Sequence, residues 1–161
     1  MDKTITTVLL IIAGIVCSIF LFNSVYPMIN RSSAAMVSMT DKINDRMQSQ
    51  IDIVQATGST SSSVVYLWVK NVGTARIDTV EQSDVFLGPE GDFARINYQL
   101  TPEGNPAAPP NWSYNIENGT EWGTGSTVKI TITFESNLSA GTYYVKVVIP
   151  NGVEAEYYFS I

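Results

Sequence analysis

Residues 4–30, TITTVLLIIAGIVCSIFLFNSVYPMIN, hold no charged side chain. The apolar core of this run, residues 5–22, is about the length that crosses a bilayer's hydrocarbon as a helix. A core helix of a soluble domain seldom runs so far without a charge, so the spacing predicts a membrane-grade helix at the front of the chain. Pro27 removes a backbone donor and crowds the preceding turn, which predicts a kink or break near residues 24–27.

Beyond Pro27 the apolar residues recur at helical steps. Met36, Met39, Ile43, Met47, Ile51 and Val54 share one face, while Asp41, Lys42, Asn44, Asp45, Arg46, Gln48 and Gln50 share the other. The pattern predicts helix to about residue 56, roughly 80 Å at 1.5 Å per residue. A bilayer core takes only about 30 Å of that. The remainder must pack on the chain's own C-terminal domain or on copies of itself. Met36, Met39, Ile43, Met47 and Ile51 are the candidate assembly face, since unbranched Met side chains tolerate repeated, slightly offset contacts. Residues 1–57 therefore read as a transmembrane or assembly helix and 58–161 as a separate domain.

From residue 61 the apolar period changes to two. Val65, Leu67 and Val69 alternate with Tyr66, Trp68 and Lys70, and Val128, Ile130, Ile132 and Phe134 with Lys129, Thr131, Thr133 and Glu135. Shorter strands are predicted at 76–80, 84–87, 95–100 and 112–116, with a proline-rich loop at 101–111. At Pro150-Asn151-Gly152 a three-residue loop pairs Ile149 with Val153, Val147 with Ala155, Val145 with Tyr157 and Tyr143 with Phe159. A two-residue turn would instead set Glu154 and Glu156 on the apolar face, and a one-residue slip flips a whole strand. Short antiparallel strands with no helix pattern between them predict an all-β, immunoglobulin-like β-sandwich behind the long helix.

Composition narrows the function. From residue 59 onward eleven Asp and Glu stand against five Lys and Arg, which accounts for the net charge of −6. An acidic domain argues against nucleic-acid partners. With no histidine and one cysteine, Cys17 in the apolar run, the commonest general base and metal ligand are missing and no intrachain disulfide can form. Asp78, Glu81 and Asp84 match no calcium-loop spacing. The residues 59–63 are hydroxyl-rich but lack a base. No catalytic, cofactor or metal site is expected, and the chain does not read as an enzyme. The Asn-x-Ser/Thr triplets at Asn111, Asn118 and Asn137 fall in or beside predicted loops, as candidate glycan acceptors would, and favour an extracytoplasmic domain; a fourth, at Asn30, lies at the membrane edge.

An uncharged N-terminal helix joined to a β-sandwich resembles type IV pilin-like subunits. More narrowly, Tyr66-Leu67-Trp68-Val69-Lys70-Asn71-Val72-Gly73, Asp84-Val85-Phe86-Leu87-Gly88-Pro89-Glu90-Gly91-Asp92-Phe93, and Gly141-Thr142-Tyr143-Tyr144-Val145-Lys146 through Pro150-Asn151-Gly152-Val153 resemble FlaG/FlaF-type archaellar accessory proteins. The resemblance implies a membrane-anchored helix and an extracytoplasmic domain. It also implies a motor or stator role in an archaellum through self-assembly, with a related accessory subunit and an S-layer or cell-envelope protein as partners. Tyr66, Trp68, Asp84, Phe86 and Phe93 are the candidate envelope contacts. Archaellins and pilins carry a basic, glycine-ended processing site before the apolar run, where this chain has Met1-Asp2-Lys3. That departure favours an accessory protein over an archaellin or pilin-like filament subunit.

Overall fold

The computed structural model describes residues 2–101 and 104–161; Met1, and Pro102 and Glu103 of the expected 101–111 loop, lie outside the described residues. Asp2–Gln48 form one helix, α1, about 70 Å long at 1.5 Å per residue. It runs unbroken through Pro27. It is long and apolar enough to cross a membrane. Some of its hydroxyls bond back within the helix: Thr7 donates to the Lys3 carbonyl at 2.7 Å, Ser18 to that of Gly14 at 2.8 Å and Thr40 to that of Met36 at 2.9 Å. That back-bonding lets polar side chains sit in an apolar setting without an orphaned donor.

The chain divides into two compact units between Ile43 and Asn44. The second contains β1 (Ile51–Thr57), β2 (Val64–Asn71), a single 3-10 turn (Val80–Gln82), β3 (Asp84–Pro89), β4 (Ala94–Tyr98), β5 (Asn111–Glu117), β6 (Thr127–Thr133), β7 (Thr142–Val148) and β8 (Glu154–Ser160). The strand order is β1-β2-β6-β5-β4-β3-β7-β8. Antiparallel pairing holds four strands on each side, β1-β2-β6-β5 and β4-β3-β7-β8. A short parallel link, Asn97 to Asn111 and Tyr98 to Trp112, joins them. β1 and β8 approach each other along the other side, so the sandwich is nearly a closed barrel.

Its interior follows the period-two pattern. Val65, Leu67, Val69, Val128, Ile130 and Ile132 face Val85, Leu87, Ile96, Val145 and Val147, all buried. Burying each such side chain is worth about 1.5–3 kcal/mol. Trp112 and Trp122 are also buried, each 1% exposed. The final hairpin has the expected register: Val147 meets Ala155, Val145 meets Tyr157 and Tyr143 meets Phe159. The Ile149 amide donates to Val153 O at 2.9 Å, and Gly152 takes the left-handed φ of 82° that the three-residue loop requires.

Two expectations fail. The helix ends at Gln48, and Ile51 to Thr57 form a strand on the edge of β2, with Ile51 opposite Asn71 and Ile53 opposite Val69. Ile51 is a core residue, 5% exposed, and not part of a helical assembly face. Met47, Ile51 and Val54 fit a helical step, but Ile51 and Ile53 fit an alternating one equally, and the open edge of β2 decides between them. Residues 76–80 form no strand. Ile77 makes a lone bridge to Trp122, and Val80 starts the 3-10 turn.

Candidate interaction surfaces

The end of α1 is built into the β domain. The loop after β2 wraps the helix terminus. Thr74 and Ala75 amides donate to the Gln48 carbonyl at 2.8 and 3.1 Å, and Val72 and Gly73 amides to that of Gln50 at 2.9 and 3.0 Å. Carbonyls at a helix end lack intrahelical donors, and here the neighbouring loop supplies them. Asn71 is fully buried and shapes that loop: its amide donates to Ala75 O at 2.8 Å and Trp122 O at 3.1 Å, and its oxygen accepts from the Gly73 amide at 3.0 Å. A β-carbon at Gly73 would lie 2.5 Å from the Gln50 nitrogen and closer still to the Gln48 carbonyl, so only glycine permits this approach.

From the other side, the β7–β8 hairpin tip reaches the same helix end. Asn151 donates to Ser49 Oγ at 2.6 Å, Ser49 donates to Asp45 O at 2.7 Å, and Arg46 donates to Gly152 O at 3.1 Å. The sequence marks Asn71-Val72-Gly73 and Pro150-Asn151-Gly152 as strand ends. Their joint hold on residues 45–50 depends on contacts between separate segments, 102 positions apart for Asn151 and Ser49, which no local pattern reports.

The five candidate envelope contacts do not form one surface. Tyr66 and Trp68 stand together on the outer side of β2, ring centres 6.2 Å apart. Lys129, directly opposite Trp68 on β6, places its ammonium 4.3 Å from the Tyr66 ring centre and 5.4 Å from that of Trp68. Lys129 is a participant that the strand alternation assigned only to an outward face. Asp84 and Phe86 lie on β3 of the other sheet, and Phe93 in the loop just before β4. Asp84 is ion-paired to Arg95 at 2.6 Å. Phe93 tilts over Tyr144 at 4.7 Å, and Tyr144 meets Tyr158 at 5.0 Å. Tyr144 is thereby buried on an outward-facing position. Beside it Lys146 bonds Glu154 at 2.7 Å and Glu156 at 3.2 Å. The Lys146 ammonium, and next the Tyr144 hydroxyl, hold the Glu156 carboxyl below its ordinary range. Burial, then Glu156, pushes the Tyr144 hydroxyl up.

The clustered acids diverge: Asp78 pairs with Arg76 at 2.9 Å, Glu81 accepts from Tyr114 at 3.3 Å and Asp84 faces Arg95. Among the sequons, Asn118 and Asn137 are exposed, whereas Asn111 is half-buried in β5 with its amide nitrogen donating to Ala107 O at 2.9 Å. Met36, Met39, Ile43 and Met47 are exposed on α1.

The family model for archaeal-type flagellin matches residues 3–159. An uncharacterised protein of Archaeoglobus fulgidus is 28% identical over 167 residues, covering 98% of each chain. The archaellum periplasmic stator protein FlaG from Sulfolobus acidocaldarius is 31% identical with a TM-score of 0.58, covering 69% of this chain and 99% of that one. A chain in the FlaF and FlaG stator complex from the same organism is 32% identical with a TM-score of 0.57, over 68% and 88%. The archaeal flagellin FlaB1 from Methanocaldococcus jannaschii shares the fold at 12% identity and a TM-score of 0.53, over 70% and 89%.

Proposed function

This chain belongs to the archaeal-type flagellin family, and on that premise we propose that it is a structural accessory component of an archaellum-like motility machine. The observation that carries this reading is its likeness to a periplasmic stator protein, which extends over nearly the whole of that protein. The likeness to a flagellin concerns the fold alone. No reaction is assigned to the chain.

In this reading α1 anchors the protein in the membrane or in a bundle of its own copies, through Met36, Met39, Ile43 and Met47. The β domain lies outside the cytoplasmic membrane and touches a related accessory subunit and an S-layer or cell-envelope protein. A stator part must pass load between its anchor and its contacts. The hold of residues 71–75 and 151–152 on residues 45–50 supports such a load path, because backbone and side-chain hydrogen bonds tie that segment into the β domain. Tyr66 on one sheet, and Phe93 with Tyr158 on the other, offer two separate contact surfaces.

The alternative is a filament subunit whose helices form the filament core. Cell fractionation separates the two. Retention with the cell envelope after filaments are sheared away, and filaments that assemble but do not turn when the chain is deleted, are the expected results. Abundance in the sheared filaments would overturn the accessory reading.

A further inference from the structure

The Asn118 sequon lies beside an accessible tryptophan. β5 ends at Glu117, and Asn118 turns the chain with φ of 58°, a left-handed value that asparagine tolerates. Asn118, Glu117, Thr127, Lys70, Gln55 and Trp68 line one open cleft of about 440 Å³ on the outer side of the β1-β2-β6-β5 sheet. Trp112 and Trp122 are buried, so Trp68 alone of the three tryptophans reaches the surface.

The two charges in the cleft, Lys70 and Glu117, offset each other, which favours a neutral group over an ion. The remaining polar groups are amides and a hydroxyl, which both donate and accept. A sugar ring matches this lining. Its C–H face lies on an aromatic ring, and its rim of hydroxyls bonds to amides and charged side chains. A single stacking contact holds a free sugar weakly. A sugar tethered to the cleft's own wall is present at an effective concentration on the order of millimolar without any second contact.

We propose that Asn118 carries an N-linked glycan whose first sugar folds back onto the Trp68 indole. In the attachment Asn118 Nδ2 loses one proton and bonds to the anomeric carbon of a lipid-linked sugar phosphate donor, whose phosphate leaves with the bonding electron pair. A membrane transferase would carry out that step. The other two β-domain sequons fit less well. The Asn111 nitrogen is engaged with Ala107 O, and Asn137 is exposed but lies outside the cleft. The proposal rests on the β domain lying outside the cytoplasmic membrane. Its effect would be to cover the exposed side of Trp68 and to stiffen the turn after β5.

The test uses the full chain purified in detergent from its native membranes. Mass spectrometry of the Asn118 peptide is expected to show a glycan. Acrylamide quenching of tryptophan emission should rise about twofold in Asn118→Gln, as the Trp68 face is uncovered. In Trp68→Ala the glycan should remain and quenching should be the same with and without Asn118→Gln. A bare Asn118 overturns the proposal, and so does a glycan at Asn118 whose removal leaves quenching unchanged. External protease on intact cells tells the two levels apart. A digested β domain with Asn118 bare sinks this site alone, and a protected one sinks the outward location with it.

Discussion

Residues 5–22 of α1 and the strand β6 are both rich in Val and Ile, and they answer the cost of exposed apolar surface in opposite ways. β6 alternates: Val128, Ile130 and Ile132 are at most 1% exposed, and the residues between them face outward. Its partners are other strands of the same chain. The helix has no such alternation and no polar face in that stretch, so its side chains point apolar groups in every direction. A single helix cannot bury itself. All-round apolarity therefore specifies a partner outside the chain, lipid or other helices, whereas alternation specifies a partner within it.

The sharpest way to break that contrast is to separate the two regions. The full chain should partition into membranes and require detergent. A fragment beginning at Asn44 should dissolve freely and unfold in one cooperative transition followed by tryptophan emission. A full chain that stays monomeric in plain buffer would end the distinction. Next in size are substitutions within each region, compared on the detergent-solubilised chain. Leu67→Ala should cost the β domain about 2–5 kcal/mol, read from denaturant midpoints. Leu10→Ala should leave that midpoint where it was.

The junction then sharpens the comparison, because it is where the two logics meet. Gly73→Ala forces a β-carbon against the backbone of residues 48–50 and should destabilise the β domain by about 1–3 kcal/mol. It should also speed amide exchange at residues 72–75 relative to the core strands. Unchanged exchange there would mean that the loop does not hold the helix end. The smallest effect is expected at Glu156, on the exposed rim. Its carboxyl is held below the ordinary range by Lys146 and Tyr144, so its stabilising contribution is full above the ordinary carboxylate pKa. That contribution is lost as pH falls through the lowered value. Glu156→Gln should slightly lower Tm at pH 7 and remove part of the further drop toward pH 3. A drop identical to that of the unchanged chain would place the acid sensitivity elsewhere.

The sequence by itself determined the apolar helix, the alternating strands β2, β6, β7 and β8, and the register of the last hairpin. Each is set by a period or a turn within a few residues, and Pro150, Asn151 and Gly152 admit only one register that keeps Glu154 and Glu156 off the core. The fate of residues 51–57 was decided by the tertiary structure alone. Met47, Ile51 and Val54 satisfy a helical spacing while Ile51 and Ile53 satisfy a strand, and the unpaired edge of β2 tips the balance. The same holds for the surfaces. Lys129 reaches Tyr66 and Trp68, Tyr144 lies under Phe93, and Asn151 meets Ser49, all across separations that local patterning does not encode. Periodicity fixes which way a side chain points, but its neighbour is chosen by strand order, and strand order emerges only when the whole sandwich closes on its core.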